Sequence, residues 1–347
     1  MARKRRRVVL LGIVAGVAVL GIAAGVGLSA ATDQDPLPVP AREEPPVAEH
    51  DGRLPGKALY VDPAGAAAAQ VQTWEAEGRM NDAALIRRIA GEPAATWFTD
   101  ELPGYADRAR QLADAADRAG QVPVLTLYHI PDRDCSGHSA GGAADGSAYR
   151  QWVSDLALAL QGYRAVVVLE PDAVAQAVKG CLSKAATVER FALLTYAVEV
   201  LRANPGVLVY LDGGNPSWIR SAARMATALR RAGIGKANGF ALNVANFETT
   251  AANIRYGTAV SRHLGGAHFV IDTSRNGNGP AKIGAGDTHW CNPRGRRLGE
   301  APTTETGHPL VDAFLWVKRP GESDGACGDD APAAGEWWPE YALELAG

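Results

Sequence analysis

Short β-branched runs alternating with Ala- and Leu-rich stretches predict an α/β protein, and more narrowly a distorted, TIM-like (β/α) barrel of seven to eight parallel strands. Three observations carry this. Strands that alternate with helices imply βαβ units and a parallel sheet. Eight candidate runs suit a closed barrel better than an open doubly wound sheet. The first βα turn has no GxGxxG pattern, which argues against a dinucleotide-binding fold.

In chain order the strands are expected at 59–61, 96–98, 122–128, 165–169, 207–211, 239–244, 268–271 and 313–317. Each is short and rich in Val, Ile, Leu, Phe, Tyr or Trp, the composition of a buried strand. Between them, amphipathic helices are expected at 83–90, 105–119, 149–160, 188–203 and 221–232.

The chain has 347 residues, 47% hydrophobic and 21% charged, with a formal net charge of −3. That balance suits a sizeable core and offers no electrostatic reason to expect nucleic acid as a partner. A basic run, Arg3 to Arg7, precedes an apolar stretch at 8–28 and the small residues Ser29-Ala30-Ala31. Residues 1–31 therefore read as a signal peptide or, uncleaved, as an N-terminal membrane anchor. Either way the remainder is exported. Residues 32–56, with Pro36, Pro38, Pro40, Pro45 and Pro46, read as an extended linker, and 57–347 as the folded domain. Export makes Cys135, Cys181, Cys291 and Cys327 candidates for two disulfides, with three connectivities open. They lack the tight spacing of a zinc site, so neither metal nor cofactor is expected.

The residues just beyond the strands are the informative ones. Acids stand after the runs at 122–128 (Asp132, Asp134), 165–169 (Glu170, Asp172), 207–211 (Asp212), 268–271 (Asp272) and 313–317 (Glu322, Asp324). In a β/α barrel these strand ends converge on one face, where the active site is built. One such acid is ordinarily a helix cap. Five strand ends bearing them suggest a shared chemistry. Clustered carboxyls suit glycoside hydrolysis, in which one protonated acid meets the glycosidic oxygen and a second carboxylate assists water. Trp97, Trp218, Trp290 and Trp316 lie at or just beyond strand ends, and flat apolar rings beside acids suit the faces of pyranose rings.

The motifs Tyr60-Val61-Asp62-Pro63, Pro131-Asp132-Arg133-Asp134-Cys135, Leu169-Glu170-Pro171-Asp172-Ala173, Tyr210-Leu211-Asp212-Gly213-Gly214 and Asn243-Val244-Ala245-Asn246 come one after another in this order. After them stand Asp272 to Pro280, Trp290-Cys291-Asn292-Pro293 and Trp316 to Gly325. In these motifs and their spacing the chain resembles glycoside hydrolase family 6 from about residue 59 to 345. The members are cellulases that hydrolyse β-1,4-glucan with inversion.

The resemblance implies that Asp172 is the general acid and that Asp134 raises its pKa and helps steer water. It implies that Asp324 is the base or an electrostatic stabiliser. Tyr128 would lie beneath the distorted sugar, and Arg133 would buttress the carboxylates. Substrate contacts would come from Trp97, Asp212, Trp218, Asn243, Trp290, Lys318 and Glu322, while Asp272 would be structural. The cysteines would pair as Cys135–Cys181 and Cys291–Cys327. The compact segment between Trp290 and Trp316 implies an open cleft and endo cleavage. The expected activity is thus an inverting endo-β-1,4-glucanase, secreted or surface-anchored and monomeric, touching membrane only through its N-terminal segment. A processive cellobiohydrolase and a non-catalytic glucan-binding barrel are the alternatives. Asn215 stands where the family leads one to expect His, and Phe247 where it leads one to expect Tyr.

Overall fold

The computed structural model describes residues 54, 56, 58–282, 289–328 and 330–347. The expected signal or anchor segment, 1–31, and nearly all of the linker at 32–56 lie outside them. The strands are β1 (Thr96–Phe98), β2 (Val124–Leu127), β3 (Ala165–Leu169), β4 (Val207–Asp212), β5 (Gly239–Leu242), β6 (His268–Asp272) and β7 (Val311–Leu315). They form one seven-stranded sheet in sequence order, every neighbour parallel.

Alternation along each strand divides two cores. Inward side chains such as Val124, Val166, Val168, Tyr210, Ala241, Val270, Ala313 and Leu315 fill the barrel. Their outward neighbours Leu125, Val167, Leu169, Val209, Leu211, Phe240 and Ile271 pack beneath the helices. Burial on both faces is why the strands read as continuous apolar runs. The expected helices appear as α2 (Met80–Ala90), α3 (Tyr105–Arg118), α4 (Gly146–Ala159), α6 (Lys184–Arg202) and α7 (Ala222–Arg231). Not expected from the pattern were α1 (Ala66–Ala76), α5 (Ala173–Lys179), α8 (Thr250–His263) and α9 (Pro339–Ala346). Of these, α1 opens on four alanines, α5 and α9 are only seven and eight residues long, and α8 mixes polar residues into its buried face.

The run at 59–61 does not become an eighth strand. Leu59 makes an isolated parallel bridge to Val122. Pro63 stops the extension on one side, and Pro123 on the other has no N–H to continue the ladder. Closure instead joins β1 to the exit of β7 through the Ala94–Trp316 bridge, where the Ala95 amide donates to the Trp316 carbonyl at 2.9 Å. Trp97 Nε1 donates to Val317 O at 2.7 Å and Arg319 Nε to Ala95 O at 2.8 Å across the same seam. Outside it, α1, α2 and α9 form a separate apolar cluster around Trp316, with Trp74, Ile86 and Ile89. The result is a distorted barrel with a cleft over its strand exits.

Candidate active site

Sharp turns at the strand exits aim the side chains. After β2, Tyr128 is buried, with Trp97 edge-on to its ring at 5.6 Å. Asp132, Asp134 and Cys135 then all take left-handed backbone (φ 55, 58 and 43°), a costly conformation for side chains with a Cβ. Asp134 Oδ2 accepts the Ser139 amide at 2.7 Å. A Cβ on Gly137 would stand 2.4 Å from that oxygen, so any side chain there would push the Asp134 carboxyl out of place. Arg133 was expected to buttress the carboxylates. Its guanidinium instead donates to the main-chain oxygens of Thr99, Tyr128 and Ser139 and lies 4.9 Å from the Tyr128 ring. It ties the loop, and no carboxylate bonds it among the described residues.

After β3, Glu170 and Asp172 take φ values of 50 and 69° around Pro171. Asp172 occupies the N-cap position of α5, yet its carboxyl makes no capping bond. The contrast with Asp145, Ser183, Ser221 and Thr249, whose side chains do cap α4, α6, α7 and α8, shows that Asp172 is not spent on the helix. Burial pushes its carboxyl well above the usual carboxylate range, and the charges of Asp212 and Asp134 push the same way against Arg190.

Asp212, at the end of β4, was expected to touch substrate and does not line the cleft. It is buried, and its Oδ2 accepts the amides of Asp172 at 2.9 Å and Gly214 at 3.1 Å. Burial raises its pKa to about 7. Asn243, also expected among the substrate contacts, is fully buried, donating to Asp272 O at 2.8 Å and accepting the Glu248 amide at 3.0 Å. Both shape the floor from beneath. Asp272 is consumed in the same layer by the amides of Ala245, Ser274, Val317 and Lys318.

The β7 exit supplies the opposite wall. Asp324 is 8% exposed, receives Arg275 Nη1 at 2.8 Å and the Asn292 amide at 3.0 Å, and has Lys318 Nζ at 3.6 Å. Burial alone would raise its pKa, but Arg275 and Lys318 outweigh that and hold it below the usual carboxylate value. Lys318 also donates to Ser323 O at 2.7 Å, and Glu322 accepts from Arg319 at 3.0 Å.

A cleft of about 1170 Å³ runs over these exits, lined by Trp97, Tyr128, Arg133, Asp134, Asp172, Trp218, Trp290, Lys318, Glu322 and Asp324. Asn215 accepts the amides of Ser217 and Trp218, each at 3.0 Å, and so sets the Trp218 platform. Phe247 lies under Arg275, 4.4 Å from its guanidinium. Cys135 is bonded to Cys181, and Cys291 to Cys327. The first bridge lies on the cleft wall beside Asp134. Four residues essential to this arrangement were not singled out in the sequence. They are Arg275 and Asn292, which hold Asp324; Arg190, which donates to Gln176, Pro131 and Asp132; and Glu170. Glu170 left a trace as the first acid beyond a strand, and Arg275 and Asn292 only as members of longer motifs with no role of their own; Arg190 left none.

A parallel β/α barrel with a Trp-lined cleft, in which one carboxyl is pushed toward protonation and another toward ionisation, defines a glycoside hydrolase working through carboxyl groups. The chain belongs to glycosyl hydrolases family 6, whose family model matches residues 54–347. It is 42% identical to Endoglucanase A of Cellulomonas fimi over 84% of this chain and 61% of that protein. It is 41% identical to Endoglucanase 1 of Streptomyces halstedii over 89% of this chain and 94% of that protein. It thus spans under two thirds of the Cellulomonas relative and nearly all of the Streptomyces one. The endoglucanase Cel6 of Mycobacterium tuberculosis, solved with a methyl cellobiosyl-thio-cellobioside, superposes with a TM-score of 0.79 at 44% identity. That match covers 84% of this chain and 97% of the other.

Proposed function

We propose that this chain is an inverting endo-β-1,4-glucanase that hydrolyses internal bonds of cellulose or related β-glucans. The observation that carries it is the opposite electrostatic tuning of Asp172 and Asp324 on two walls of one cleft. Asp172, kept protonated, donates to the glycosidic oxygen as the C1–O bond breaks. Asp134 and Asp212 maintain that proton by their charge. Water attacks the opposite face of the ring, forming the new C1–O bond and passing its surplus proton to solvent through the water steered by Asp134, while the oxocarbenium-like charge forms on the side of Asp324. A carboxylate held ionised by Arg275 is a weak proton acceptor, which favours an electrostatic role for Asp324 over that of base. Tyr128 and Trp97 support the sugar at the cleavage point, Trp218 and Trp290 stack on flanking sugars, and Lys318 and Glu322 hold hydroxyls. Similarity to proteins named endoglucanases supports internal cleavage.

The proposal extends to the whole chain: residues 1–31 direct export as a signal peptide or anchor, 32–56 link, and 57–347 catalyse as an extracellular monomer. Anomer-resolved NMR of a fresh cellotetraose digest tests the chemistry. The α-anomer is expected first, and initial release of the β-anomer overturns inversion. Asp172→Ala is expected to lose roughly 10²- to 10⁴-fold on carboxymethylcellulose.

A further inference from the structure

Glu170 is a fully buried carboxylate that the reaction above does not use. It directly follows β3, and its side chain reaches across to the exit of β2. The His129 amide donates to Glu170 Oε1 at 3.1 Å and Oε2 at 3.0 Å, and the Ile130 amide donates to Oε2 at 3.0 Å. In the reverse direction the Glu170 amide donates to Leu127 O at 2.8 Å. The two strand exits are therefore stitched on both sides of Tyr128. One end of the stitch leads directly into the loop bearing Asp134, and the other lies two residues from Asp172. An ionised carboxylate is an acceptor on both oxygens, whereas a neutral acid or amide keeps one acceptor and presents a donor. Oε2 accepts both amides, so a neutral side chain that keeps this oxygen on them loses the second His129 bond at Oε1, where its new donor faces the same N–H.

From this geometry we infer that Glu170 is a positioning residue: its carboxylate clamps the exit of β2 to that of β3 and thereby sets Tyr128 and Asp134 against Asp172. The inference rests on Asp172 acting as the acid. Misplacing a reacting group by about 1 Å can cost roughly 10²-fold, so a clamp between the two loops bears on kcat more than on binding. The clamp also has a titration. Burial pushes Glu170 up to about 7, against the two amides, Tyr149 and Arg133, which lower it. The charged and titratable groups facing it are Tyr149 on α4, Arg190 on α6, and Tyr128 and Arg133 at the β2 exit. Below that pH the acid protonates and the clamp weakens by the His129 bond at Oε1; above it both oxygens accept.

The test uses the intact protein and two readouts. In Glu170→Gln, an isosteric change that imitates the neutral acid, kcat on cellotetraose is expected to fall about tenfold or more with KM within twofold. In amide-resolved NMR of the unmutated protein, the His129 and Ile130 amide protons are expected to titrate together near neutrality, and the same titration is expected to be absent from Glu170→Gln. Unchanged kcat in Glu170→Gln, or flat amide shifts from acid to neutral pH in the unmutated protein, overturns the inference. If Glu170→Gln does not fold, the unmutated protein decides alone: kcat rising with the amide titration supports the clamp, and kcat indifferent to it refutes it. The same amides in Asp172→Asn keep the two readings apart. Their titration survives there if the clamp is right, while full activity of Asp172→Asn sinks the proposed reaction and leaves the clamp standing.

Discussion

The main-chain amide of Asp172 donates to the carboxylate of Asp212 at 2.9 Å, so the residue that orients Asp172 also opposes its ionisation. Asp212 is buried directly beneath the half-buried Asp172, and its charge disfavours a second charge on the Asp172 carboxyl. Replacing Asp212 by Asn keeps an oxygen for the amide and removes the charge. The Asp172 carboxyl then ionises at lower pH, and an enzyme that needs it protonated loses activity first on the alkaline side. The pH profile of kcat/KM is expected to move its descending limb downward, with roughly tenfold loss above neutrality and little change at acid pH. An unmoved alkaline limb rejects the coupling.

Arg275 and Asp324 form a buried ion pair in which both partners are nearly inaccessible to water. Arg275→Met strands the carboxylate with Lys318 at 3.6 Å and is expected to cost about 3–5 kcal/mol in urea unfolding. The pH dependence has a definite sign. Asp324 has a folded pKa below its unfolded value of about 3.9, so its stabilisation is complete above that value and vanishes as pH falls through the folded pKa. The unfolded state is common to both proteins, so the gap between the unmutated protein and Arg275→Met should be full at neutral pH, begin to narrow as pH falls through the higher folded pKa of the stranded carboxyl, and close only below the folded pKa of the unmutated protein. A gap independent of pH down to full acid unfolding contradicts this reading.

Much of this was legible in the chain, for a physical reason. Strands buried on both faces write themselves as unbroken Val/Leu runs, and parallel strands bring their ends together whatever loops intervene. Asp134, Asp172 and Asp324 could therefore be placed on one mouth from the chain alone. What the runs could not reveal was direction. Asp212 ends β4 and Asn243 follows β5 directly, whereas Asp172 comes three residues after β3, and the first two turn under the floor because a single residue of turn separates a side chain in the cleft from one in the core. The partners were hidden for a related reason. Arg275 lies in a polar Thr-Ser-Arg-Asn loop, 49 positions from Asp324, and no local pattern links them. The stretch at 59–61 failed as a strand because its neighbour presents Pro123 where an amide was needed.

The two disulfides close loops of 46 and 36 residues, which on a chain-entropy basis gives each about 4 kcal/mol of stabilisation. Their places differ more than their loop lengths. Cys135 directly follows Asp134 in left-handed backbone, while Cys291 and Cys327 flank the residues that hold Asp324. Paired Ser substitutions are expected to lower stability similarly in both cases. The Cys135/Cys181 pair is further expected to lose kcat after correction for folded fraction, because Asp134 loses its tether. Equal stability loss with full kcat in the Cys135→Ser/Cys181→Ser protein refutes a role for that bridge in the site.

Trp97 has two duties that Trp218 does not share. Its indole N–H donates to Val317 O across the β1–β7 seam, and its ring stands edge-on to Tyr128 in the cleft. Trp218 lines the cleft on a turn already set by Asn215. An aromatic contact of about 0.5–1.5 kcal/mol corresponds to a change in affinity of roughly two- to tenfold. Trp218→Ala should raise KM for cellotetraose within that range and lower the unfolding midpoint only through the lost packing of its half-buried ring on the outer core. Trp97→Ala should raise KM and also destabilise, since the seam loses both a hydrogen bond and packing. Trp97→Phe separates the duties: the ring face remains for the sugar, and the lost bond to Val317 costs about 1 kcal/mol in urea unfolding. If Trp97→Phe is as stable as the unmutated protein, the indole does not fasten the seam, and closure rests on the Ala94–Trp316 bridge and Arg319 without it.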